Sequence, residues 1–117
     1  MPAEVSELLA RPRDPEFARM LMVTHAQSTP VQEAGRLQAD LRRAGIEPFG
    51  WVINASLAAG GTTHPTLRAR AAGELTHIER VRRSSAHRTW LVGWQPDAPV
   101  GAAALRQLTA GAAVSGR

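Results

Sequence analysis

Three short segments hold the side chains that could meet a ligand: Thr24-His25-Ala26-Gln27-Ser28-Thr29, Asn54-Ala55-Ser56 and Gly93-Trp94-Gln95-Pro96. Asn54 has the most specific chemistry. Its amide sets an acceptor beside a donor pair, which matches the N6/N7 edge of adenine in a bidentate pairing. Asparagine also ties its own turn at strand ends, and spacing leaves both roles open. His25 could act as an acid, a base or a ligand, but it has no carboxylate or second histidine near it in sequence. His64, His77 and His87 are scattered, which falls short of the ligand set a metal site requires. Asp97 is the one carboxylate in these segments and their turns, and turn chemistry accounts for it. Gly60 and Gly61 lack the flanking residues of either common phosphate-binding fingerprint.

Composition narrows the chemistry further. The chain has no cysteine, which removes disulfides, thiolate metal sites and a cysteine nucleophile. It has no lysine, so it carries neither the lysine of a Walker phosphate loop nor a Schiff-base nucleophile. The net charge of +4 comes from fourteen arginines against ten acids. With few aromatics for base stacking, those arginines read as a solvated surface, and no nucleic-acid partner is expected. No apolar run approaches the roughly 20 residues of a membrane span. Met1 to Arg13 lacks the layout of a signal peptide, so no membrane insertion and a cytoplasmic location are expected.

The elements that must position these segments alternate. Residues 3–10 read as a short leading helix. Phe17 to Thr24 reads as a strand whose unbroken apolar stretch, Met20 to Val23, suits a parallel sheet covered on both faces. Thr29, Pro30 and Gln32 suggest a capped helix start. Val31, Ala34, Leu37 and Leu41 form that helix's inner stripe, and Gly45 ends it. Phe49 to Asn54 gives a second strand. Pro65 opens a helix with Leu67, Ala71, Leu75, Ile78 and Val81 inward and its arginines outward. Arg88 to Trp94 gives a third strand, and a last helix uses Ala104, Leu105 and Leu108. The expected fold is a single α/β domain over 1–117, with a three-stranded parallel sheet, flanking helices and a frayed tail at 110–117. It is a partial doubly wound unit, and its bare edges suggest a protein partner or self-association.

Leu21 to Leu57 carries Val23-Thr24, Thr29-Pro30-Val31-Gln32-Glu33-Ala34, Leu37 to Leu41, Ala44-Gly45-Ile46, Phe49-Gly50-Trp51 and Asn54. With this order the chain resembles the C-terminal part of the arsenical pump-driving ATPases, relatives of the ATPases that deliver tail-anchored membrane proteins. Leu67-Arg68, Arg70-Ala71 and Glu74-Leu75 continue the resemblance downstream. It implies a P-loop-NTPase-like fold, ATP or ADP as ligand, and Asn54 as the adenine-contacting residue. It also implies that Gly93, Trp94, Gln95 and Pro96 lie beside the base, and that Mg2+ binds only with a complementary phosphate-binding segment. The chain departs from the family pattern at His25-Ala26-Gln27, Gly93 and Ala98. The function expected is an adenine-side portion of an arsenite-pump-type ATPase, catalytically incomplete alone. The alternative is a non-catalytic module that pairs with an ATPase subunit.

Overall fold

The computed structural model describes residues 3–84, 88–110 and 113–115. Three strands, β1 (Leu21–Thr24), β2 (Gly50–Ser56) and β3 (Arg88–Gly93), lie parallel in that order. The helices are α1 (Ala3–Ala10), α2 (Ser28–Arg43), the single-turn α3 (Leu57–Gly60), α4 (Pro65–Ser84) and α5 (Ala102–Ala110). The α/β unit with three parallel strands is therefore as the alternation of elements implies. A short fourth strand, β4 (Ala113–Ser115), runs antiparallel along β3 and was not expected. Of the tail read as frayed, Ala110 ends α5, β4 occupies three residues, and the rest lies outside the described residues.

Burial divides the sheet into two unlike faces. Met22, Trp51 and Thr89 are register partners, and each is almost wholly buried. Ile53, two residues along β2, joins them, with Val31 and Ala34 of α2 and Ile78 and Val81 of α4 in one core cluster. On the other face Leu21 is 50% and Val23 62% exposed. The expectation that β1 is covered on both faces is therefore wrong. Right-handed crossovers that step the same way along a sheet place their helices on one face. Here α2 and α4 pack side by side, which leaves the β1 part of the second face exposed, while Val52 and Trp90 beside it are half-buried.

The middle of the covered face is polar at one point. The indole Nε1 of Trp51 donates to Gln38 Oε1 at 2.8 Å, with both residues buried. The inner stripe of α2 is accordingly Val31, Ala34 and Gln38, while Leu37 faces out at 51% exposure. A leucine at the inner position would leave the indole N–H without an acceptor. On α4 the stripe holds at Ile78 and Val81, but Leu75 is exposed. Its arginines are solvent-facing, as expected. Arg82 and Arg83 bond to Glu79, and the Arg82 hydrogen bond foremost holds that carboxyl below its usual range.

The ends of α2 follow two different logics. The helix starts at Ser28 with Gln27 as cap and no side-chain capping bond, so the box expected from Thr29 and Gln32 does not form. Pro30, within the first turn, has no N–H to satisfy, which removes part of the need. At the other end Gly45 takes φ 81°, its N–H bonds to Arg42 O, and the Ile46 N–H bonds to Leu41 O at 2.8 Å. These two bonds are the Schellman pairings that glycine permits.

Gln38→Ala should orphan the buried indole and lower unfolding stability by about 1–3 kcal/mol. Gly45→Ala should cost about 1 kcal/mol through its left-handed backbone. Urea unfolding followed by tryptophan fluorescence reads both.

Candidate functional site

The carboxyl ends of the three parallel strands are organised by one carboxylate. Glu74 of α4 accepts from Ser56 Oγ at 2.8 Å, from the Leu57 N–H at 3.0 Å and from the Ala58 N–H at 3.3 Å. Ser56, fully buried, also caps α3 by accepting from the Ala59 N–H. Negative charge at a helix start is favourable, and these N–H groups have no intrahelical partners. The donors a bound anion would use at the start of α3 are thus already engaged. In the sequence Ser56 stands out only within the Asn54-Ala55-Ser56 segment, and Glu74 only within the family pattern. Their link spans 18 positions, beyond any local signal.

Directly before Ser56, β2 is irregular. Ala55 has φ 54°, the one non-glycine residue with positive φ among the described residues, and the pairing with β3 shifts register between Ile53 and Ser56. A bulge next to a strand end redirects the side chains around it. An alanine held in this conformation costs about 1–2 kcal/mol. Asn54 sits at this bulge with its side chain exposed. Its main-chain carbonyl, rather than its amide, is what reaches His25, at 3.2 Å from Nδ1.

β3 ends against the same loop. The Trp94 N–H donates to Ser56 O at 2.9 Å. A Cβ on Gly93 would lie 3.2 Å from the Gly60 backbone, so α3 and the end of β3 touch main chain to main chain. The Gln95 amide donates to Gly93 O at 3.2 Å and ties its own turn. Gly93, Trp94, Gln95 and Pro96 share one cavity of about 460 Å3 that reaches to α5. Asn54 does not line it. A neighbouring cavity of about 680 Å3 is bordered by His25, Ala55, Arg70, Glu74, His77 and Trp94, so Trp94 stands between the two. His77 Nδ1 is buried there with no hydrogen-bond partner among the described residues. His87 lies outside the described residues, and among those described no cluster of three histidine or acidic residues could hold a metal ion.

Glu74→Ala should strand the Ser56 hydroxyl and two N–H groups, lowering stability by about 2 kcal/mol. Ala55→Val should cost about 1–2 kcal/mol, whereas Ala55→Gly should be neutral or slightly stabilising. Thermal melts of the three variants check this.

No family model matches the chain. Two proteins from Escherichia coli and one from Acidiphilium multivorum, each named arsenical pump-driving ATPase, match it over 96 residues, at 50%, 45% and 47% identity respectively. Each match covers 82% of this chain and 16% of the relative. The chain therefore spans about one sixth of the length of these curated relatives. Among its described residues no helix is long and apolar enough to cross a membrane. Over four-fifths of its residues, this chain is similar in sequence to a portion of the arsenical pump-driving ATPases.

Proposed function

We propose that this chain is the adenine-side, nucleotide-binding portion of an arsenite-pump-type ATPase and does not hydrolyse nucleotide by itself. The observation that carries this reading is the similarity to those ATPases over 82% of the chain, joined to an exposed amide at the end of the middle strand. Ligands of open parallel sheets sit beyond the carboxyl ends of their strands. In this reading Asn54 pairs with the N6/N7 edge of ATP or ADP. Trp94, 44% exposed, offers a face for the base, and the Gly93 to Pro96 turn borders it.

Incompleteness rests on chemistry this chain's residues lack. With no lysine they cannot supply the Walker contact to the β- and γ-phosphates. The N–H groups at the start of α3 are taken by Glu74. Mg2+ is commonly held by one or two carboxylates together with phosphate oxygens, so in this reading phosphates and ion both call for a complementary segment. A second reading, an interaction module that pairs with an ATPase subunit, is favoured by the bare apolar face around Leu21 and Val23.

The test is a Mg-ATP titration followed by backbone amide NMR, with Asn54→Ala as control. Saturable shifts at the three strand ends, lost in the control and without ATP turnover, are expected. Silence at millimolar nucleotide would hand the lead to the interaction module. Turnover by the pure chain would overturn incompleteness.

A further inference from the structure

At the amino end of the sheet, opposite the strand ends just described, lies a cleft of about 550 Å3 lined by Arg13, Arg19, Phe49 and Arg88. A volume of roughly 300–1,000 Å3 suits a small molecule. Phe49 organises the cleft. The Arg19 guanidinium lies 4.6 Å from its ring centroid and that of Arg88 4.8 Å, while the Trp90 ring packs at 6.0 Å. Neither guanidinium donates a hydrogen bond to a described residue, which leaves N–H edges of the kind that bind oxyanions as a fork. Neither Arg19 nor Arg88 forms an ion pair among the described residues.

Arg13 is the third cation. Its Nε donates to Ala44 O at 2.7 Å, which fixes the side chain and leaves the terminal nitrogens for other partners. Two carboxylates also border the cleft. Glu47 is forked by Arg42, whose Nε donates to Oε2 at 3.1 Å and Nη2 to Oε1 at 2.8 Å, so its charge is answered from outside the cleft. Glu16 stands on the rim. Three cations thus face one cleft against one carboxylate not answered by Arg42, and two of them rest on a single ring. Like charges gathered this way repel until an anion sits among them.

We propose that this cleft binds a small organic polyanion carrying two or more phosphate or carboxylate groups. Pro12, Pro15 and Pro48 supply apolar wall for its body. The site is independent of the nucleotide reading, because no residue is shared between the two ends of the sheet.

Calorimetric titration of the full chain with pyrophosphate, and separately with citrate, tests it. Saturable binding of at least one probe at low salt is expected, and which probe binds tells phosphate from carboxylate. Arg19→Gln and Arg88→Gln should each weaken it about tenfold, in keeping with charge-assisted hydrogen bonds. Glu16→Gln should tighten it about twofold, and roughly 0.3 M NaCl should weaken it several-fold. Asn54→Ala should leave it unchanged. No saturation by about 10 mM of either probe, or binding indifferent to both arginine variants, would overturn the proposal.

Discussion

The buried hydrogen bond between Trp51 and Gln38 is the interaction on which the rest of the structure depends. Trp51 is the largest fully buried side chain, placed on the middle parallel strand. Its indole ring fills the space under α2, and its N–H fixes which face of α2 looks inward. Rotating α2 to bury Leu37, already half-buried, would gain roughly 1 kcal/mol, but would leave an indole donor and a glutamine amide without partners. The polar pair therefore sets the rotation of α2 against the middle strand.

Glu74 performs a related task at the rim. It joins the middle of α4 to the point where β2 becomes α3, and α3 in turn lies against the end of β3 through two glycines. The carboxyl edge is thus held by backbone-level contacts that tolerate little change in volume. Ala55 carries the strain of this arrangement, next to the residue with the most specific recognition chemistry. Strain beside a recognition residue is a recurring pattern where neighbouring contacts over-determine the backbone.

Much of this was legible in the sequence, and the gaps have physical reasons. The order of elements and Gly45 as a helix stop follow from periodicity and local backbone rules, whereas the second strand, expected to end at Asn54, runs on through a bulge to Ser56. Gln38 was not legible as a core residue, since burying an amide makes sense only once a distant indole needs an acceptor. Leu21 and Val23 read as doubly covered because apolar runs report what a strand is suited to, whereas coverage depends on which way the chain steps across the sheet. Glu74 escaped notice because its partners lie 16 to 18 positions away. The arginine cleft escaped because residues 13, 19 and 88 meet only after folding.

The fourth strand bears on which edge of this sheet suits a further strand. A sheet grows into a fibre when both of its edges can recruit another copy. β4 gives β3 a neighbour only three residues long and reversed in direction, a poor template for a further parallel strand. Among the described residues β1 is then the edge that offers a further parallel strand the better template. A second body of parallel strands would continue the sheet along β1 in the same direction, whereas along β4 it would have to reverse.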